Sequence, residues 1–224
     1  MAKKKTAAEA LPVSRLPEAD HAPVAERYEM GQARRKTTPR AAHAEWNPPP
    51  ARDPLALLAA SNVGRTQSLI PVRHARMAAS SFAFYRGAPA VMAYDLAHTP
   101  SSGIVAQLCG DCHISNFGLF GSPERNLVFD LNDFDETLPG PFEWDVKRTA
   151  ASIVVASRNA GLADKHGRAA VALAMEVYRT RLAEYATASY LGVWYSYTTA
   201  DTLLQMTDKR QRKAVQGQLA RVQA

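Results

Sequence analysis

Asp111, Asn116, Asp130 and Asp133 are the residues whose types and spacing could do chemistry. They fall within Cys109 to Glu136, CGDCHISNFGLFGSPERNLVFDLNDFDE. This stretch opens on Gly-Asp-x-His-x-x-Asn and closes on an apolar run, Leu127 to Phe129, that leads into Asp130, Asn132, Asp133 and Asp135. An apolar strand delivering several carboxylates at its end crowds like charges, which is unfavourable unless a cation or bound donors compensate. A hard divalent ion such as Mg2+ compensates, because it takes oxygens from one or two carboxylates and from substrate phosphates. Asp111 supplies a base and Asn116 a neutral oxygen ligand. The set matches a phosphoryl-transfer site: one Asp to orient or deprotonate a hydroxyl, an Asn on the metal and a second Asp on the metal. A solvated turn would account for Asp135 and Glu136, since Asn and Asp are ordinary turn residues. It gives no reason for Gly110-Asp111 and Asn116 to occur beside them.

The same letters contain Cys109-x-x-Cys112-His113, the attachment pattern of c-type haem. Haem attachment follows export, and the N-terminal stretch MAKKKTAAEALPVSRLPEADHAPV carries charge without an apolar segment, so no signal peptide is visible. No second cysteine pair exists to complete a four-ligand zinc site. The two cysteines read as reduced thiols beside the loop, and the expected compartment is the cytoplasm.

At 224 residues the chain has length for one good-sized domain or two small ones. No run approaches the roughly 18 apolar residues a membrane span needs. The net charge of +6 is concentrated towards the ends, in Lys3 to Lys5, Arg34 to Lys36, Arg40 and Lys209 to Lys213. Basic tails are commonly just solvated, so neither nucleic acid nor a membrane is an expected partner.

The elements that must position the acidic stretch can be read in order. Residues 1–50 are rich in Ala, Pro, Lys and Arg and end in Trp46-Asn47-Pro48-Pro49-Pro50, which predicts disorder early and an extended segment around Gly31 to Pro50. Asp53-Pro54 predicts an N-capped helix to about Ser61. Ala75 to Ala79 suits a short helix, Ser80-Ser81 a break, and Pro89 to Ala97 another helix. Arg73, Arg76 and Arg86 are functional candidates because guanidinium forks suit phosphate groups; surface positions or pairing with Asp95 is the competing reading. Gly103 to Cys109 predicts a strand, Ser122 to Asn126 a turn, and Leu127 to Leu131 the return strand, a hairpin that would gather Asp111, Asn116 and Asp133. Leu138 to Pro141 is expected to end the strand region. Phe142 to Asn159 predicts a helix with a broad apolar face and a stop at Gly161. Asp164 to about Ala188 predicts a longer helix whose stripe, Val171, Ala174, Met175, Tyr178 and Leu182, is read as core. Ala200 to Ala224 reads as a basic helical tail.

The segments RMAASSFAFYRG (Arg76 to Gly87), GDCHISNFG (Gly110 to Gly118), FDLNDFDETLPGPFEWDVKR (Phe129 to Arg148) and GVWY (Gly192 to Tyr195) together resemble the bacterial "domain of unknown function 2252" family. The loop also resembles the catalytic loop of aminoglycoside phosphotransferases and related small-molecule kinases. The resemblance implies an α+β, mostly helical chain, a partial protein-kinase-like fold with a C-lobe-type catalytic hairpin plus helices over residues 51–224. It also implies Mg2+ and ATP as cofactor and donor, and an unknown small-molecule or protein hydroxyl as acceptor. Asp111 then matches the catalytic-loop Asp, Asn116 the metal-ligating Asn, and Asp133 the metal-binding Asp, with Asp130 the alternative for that last role. His113 and Asp145 are supporting, Asp145 resembling an Asp that braces the catalytic loop. A kinase also needs a glycine-rich loop and a strand lysine. Neither precedes Asp111, and in the family they are implied to lie downstream of the catalytic loop. The expectation is therefore an N-terminal portion of a longer member, completed by further sequence or by a complementary second-lobe chain. A non-catalytic fragment or pseudokinase-like binding protein is the alternative.

Overall fold

The first element among the described residues is a helix that runs into the stretch where extension is expected. The computed structural model describes residues 22–208, together with 212, 213, 215–217 and 219. Helix α1, Val24–Thr37, replaces the extended backbone expected from Gly31. Its Ala, Glu, Met, Gln, Arg and Lys residues are strong helix formers, so propensity alone favours a helix although no residue of α1 is buried. Two side chains tie it down: Arg34 donates to the carbonyl of Ser102 at 2.8 Å, and the Thr38 hydroxyl donates to that of Ser101 at 3.2 Å. The disorder expected at the start of the chain falls on residues 1–21, outside the described residues.

Helix α2, Pro54–Ala60, begins at its expected cap, where the Asp53 carboxylate accepts from the backbone N–H groups of Leu55 and Ala56. Helix α3, Ile70–Ala78, starts earlier than Ala75 because Pro71 sits in its first turn, where proline is tolerated. The break at Ser80 is a cap: its hydroxyl accepts from the N–H of Ala83 and opens α4, Ser81–Gly87, a helix the sequence pattern did not predict. Helix α5, Pro89–Ala97, follows as expected. Leu58, Met77, Ala88 and Val91 form the buried cluster that these helices share.

The strands pair differently from the expected hairpin. β1, Val105–Leu108, runs antiparallel to β4, Leu138–Pro141, with Val105 opposite Pro141 and Leu108 opposite Leu138. The return strand β3, Leu127–Leu131, pairs with β2, Phe117–Gly121, and carries the short β5, Thr198–Thr199, on its other edge. Leu138 to Pro141 was expected to end the strand region because two of its four residues are prolines, which remove ladder donors and confine a strand to a sheet edge. β4 is such an edge in a two-stranded sheet.

Helix α6, Glu143–Asn159, packs against α7, Asp164–Tyr185, across the stop at Gly161, whose φ of +73° suits glycine. The α7 stripe is core only in part: Val171, Ala174 and Met175 are half-buried, whereas Tyr178 and Leu182 are 39% and 47% exposed. Helix α8, Tyr190–Trp194, lies in the aromatic patch, and α9, Ala200–Met206, begins the expected tail, whose remainder falls mostly outside the described residues. The fold is α+β and mostly helical. Among the described residues no helix is long and apolar enough to cross a membrane.

Candidate functional site

The site is built where α6 grips the loop that follows β1. Asp145, in the first turn of α6, accepts from the backbone N–H groups of Cys109 at 2.7 Å and Gly110 at 3.1 Å. Thr149 donates its hydroxyl to the carbonyl of Cys112 at 2.9 Å, and Ser152 accepts from the N–H of Ile114 at 3.0 Å. Asp145, Arg148, Thr149 and Ser152 fall three and four residues apart, so they share one face of the helix. That polar face holds residues 109–114 from beneath. Burial pushes the Asp145 carboxyl up, against the pull of its two N–H donors.

Asp111 is 8% exposed and is met by a cation from the same helix. The Arg148 guanidinium pairs with its carboxylate through Nε and Nη2, and both side chains are buried. Arg148 also donates to the carbonyl of Tyr85 at 3.0 Å and lies 4.5 Å from the Tyr85 ring centroid, while the Tyr85 hydroxyl donates to the Arg148 carbonyl at 2.7 Å. Helix α4 thereby buttresses the arginine. His113 Nε2 lies 3.6 Å from the other Asp111 oxygen, and its Nδ1 is buried without a partner among the described residues. Burial lowers the His113 pKa, with Arg148 and Arg86 adding to the fall and Asp111 opposing it, so the ring is neutral.

The acidic half of the stretch closes against this loop. Asn116 donates its side-chain amide to the carbonyl of Asp111 at 2.9 Å, and its own carbonyl accepts from the N–H of Asn132 at 3.0 Å. Gly110 has φ +86°, and a Cβ there would lie 2.0 Å from the carbonyl oxygen of Glu136. Only glycine permits that approach. The free thiol of Cys109 donates to the carbonyl of Asp133 at 3.2 Å, a further tie between the halves.

A cavity of about 1070 Å³ opens over the junction, just above the usual range for a small-molecule pocket. Asp111, His113, Asn116 and Asp133 line one side, and Arg65, Arg73, Arg76 and Arg86 line another. Asp130 is exposed on β3, accepts from the N–H of Leu131, and is not among the lining residues; nor is Asp145. The arginine candidates Arg73, Arg76 and Arg86 therefore face the acidic group, joined by Arg65. Arg148 carries no role in the sequence reading, although it ends the Phe129 to Arg148 signature. Among the described residues, no group of three or more His, Cys, Asp or Glu side chains is arranged to hold a metal ion.

Residues 65–224 match a family described as "Uncharacterized protein conserved in bacteria (DUF2252)". The chain belongs to the DUF2252 family. The matched residues contain the loop, α6 and the four arginines, and exclude α1 and α2. No curated protein and no solved structure matches the chain.

Proposed function

We propose that this DUF2252 member is a cytoplasmic, kinase-like phosphotransferase site that acts with Mg2+ and ATP on a hydroxyl acceptor. The observation that supports it is the convergence of Asp111, Asn116 and Asp133 on one cavity, on a loop braced by Asp145. Phosphoryl transfer asks little covalent chemistry of a protein, so positioning and charge compensation carry it. In this reading Arg148 holds one Asp111 oxygen and leaves the other to accept the acceptor's hydroxyl proton bond, orienting the nucleophile. Neutral His113 keeps that second oxygen free of a competing cation.

The donor set fits Mg2+. The Asn116 amide nitrogen is engaged by Asp111, its amide oxygen has no partner among the described residues, and both Asn116 and Asp133 line the cavity. Two oxygen ligands are few for a protein cage but ordinary for an ion that keeps waters and takes the remainder from phosphates. When bound, Mg2+ would neutralise charge on the phosphate oxygens. A glycine loop and lysine would come from a complementary second lobe.

The buried pairing of Asp111 with Arg148 favours a second reading, a pseudokinase-like binding protein, because the oxygen that Arg148 engages is not open to a substrate hydroxyl. Measuring ADP release with a panel of hydroxyl acceptors separates the two. Transfer that falls by about a hundredfold or more in Asp111→Asn supports catalysis. Nucleotide binding without turnover by any acceptor supports the second reading.

A further inference from the structure

The arginine wall goes beyond what holding a metal requires. Arg65, Arg73, Arg76 and Arg86 come from α3, α4 and the segment before them, and together face Asp111 and Asp133 across one cavity. The Asp111 charge is already met by Arg148 from below. Four guanidinium groups therefore stand against two carboxylates that Arg148 does not meet, Asp133 on the cavity wall and Glu136, whose charge is felt by Arg65 and Arg73, and the wall keeps an excess of positive charge. Two of the four are anchored: Arg65 donates to the carbonyl of Ser61 at 2.9 Å, and Arg73 donates to the Asn62 side chain at 3.2 Å and to the Gly87 carbonyl at 2.6 Å. Those bonds fix guanidinium planes without neutralising them. The side chains of Arg76 and Arg86 make no hydrogen bond or ion pair among the described residues, so their forks are available to a ligand. Burial, then repulsion from Arg65, draws the Arg73 pKa down, with the Glu136 carboxylate opposing the fall.

We infer that this wall is an oligophosphate-binding subsite, in which Arg76 and Arg86 grip a chain of two or more phosphate groups and Arg65 and Arg73 supply a fixed positive field. A guanidinium fork accepts two phosphate oxygens at once, which a lysine cannot do. One orthophosphate would occupy one or two forks and leave the remaining charge unmet, whereas a di- or triphosphate carries enough oxygens and charge to span the wall. The subsite would add phosphate contacts from α3 and α4 to those that kinases draw from a glycine loop and lysine. The identity of the anion rests on the phosphotransfer reading; the existence of an anion site does not.

Calorimetric titration of the full chain with inorganic tripolyphosphate and with orthophosphate tests it. The variants are Arg76→Ala/Arg86→Ala and, as a control outside the cavity, Arg168→Ala. Arg76 and Arg86 are exposed and unbonded, so a circular dichroism melt should show both variants folded. The expected result is tripolyphosphate binding that weakens about tenfold or more in the double variant and is unchanged in Arg168→Ala, with orthophosphate at least about tenfold weaker. Equal affinity of wild type and double variant, or no binding by the folded wild type, would overturn the inference. ATP-dependent transfer that ignores the double variant would also overturn it while leaving the phosphotransfer reading intact. Arginine-dependent binding with no transfer to any acceptor would uphold it when that reading fails.

Discussion

Arg148 holds Asp111 from within the fold: the guanidinium and the carboxylate pair across 37 residues, with side chains only 3% and 12% exposed. The candidate loop is therefore coupled to the stability of the whole α4–α6 contact. Removing one partner of a buried pair strands the other, so Asp111→Asn and Arg148→Met should each cost about 3–5 kcal/mol in urea unfolding. The double variant should recover much of the summed loss. Costs that add to within about 0.5 kcal/mol would show that the two residues do not act together.

Gly110 and Gly161 both have positive φ but differ in their surroundings. A Cβ at Gly110 meets the Glu136 carbonyl, whereas one at Gly161 meets nothing within 4 Å. Gly161→Ala should cost about 1 kcal/mol, the penalty of the left-handed backbone. Gly110→Ala should cost at least about 3 kcal/mol, because the acidic loop must also move away. The difference is read from denaturation midpoints; equal costs would mean that Gly110 does not hold the two halves together.

How much of this arrangement was legible depends on how local its causes are. Asp53-Pro54 and Pro89 announced α2 and α5 because caps and prolines act within one turn. β1, β3 and the turn before β3 were legible from apolar runs and turn residues, but β2, which supplies the true partner of β3, was not expected, and β4 was hidden by Pro139 and Pro141. α1 was hidden because it buries nothing and so has no apolar stripe. The gathering of Asp111, Asn116 and Asp133 could be anticipated from their closeness in sequence. Arg148 could not, since an arginine in an amphipathic helix reads as surface until the partner 37 residues away is known. The polar face of α6 was hidden for the same reason, Trp144, Val146 and Ile153 having suggested an apolar one.

The cysteines give a chemical check on the loop. Burial pushes the Cys109 thiol up to about 12, with Cys112 adding to the rise, and burial also raises Cys112. Only the thiolate is nucleophilic, so alkylation of the native chain by iodoacetamide at pH 8 should be slower than in denaturant by at least about a hundredfold. Mass spectrometry would follow it. Native labelling at the denatured rate would contradict the buried loop.

His113 sets a pH dependence. Its folded pKa lies below the usual 6.5, so on acidification the unfolded chain takes up a proton before the folded chain does. The His113 contribution is fully present above about pH 6.5 and is lost as pH falls from there through the folded pKa. Urea midpoints should decline between pH 7 and 5 in the wild type, and less steeply in His113→Gln. A wild-type stability that rises over that interval would contradict a neutral buried ring beside Arg148 and Arg86.

The most direct test of the central claim is calorimetric titration of the chain with ATP, with and without Mg2+, beside Asp133→Asn. Asp133 is exposed and, among the described residues, its carboxylate accepts only a 3.3 Å bond from the N–H of Asp135, so this variant should fold normally. A metal-nucleotide site made by Asn116 and Asp133 predicts binding that requires Mg2+ and is lost in the variant. Binding indifferent to Mg2+ or to Asp133→Asn, or none by the well-folded chain, would contradict it.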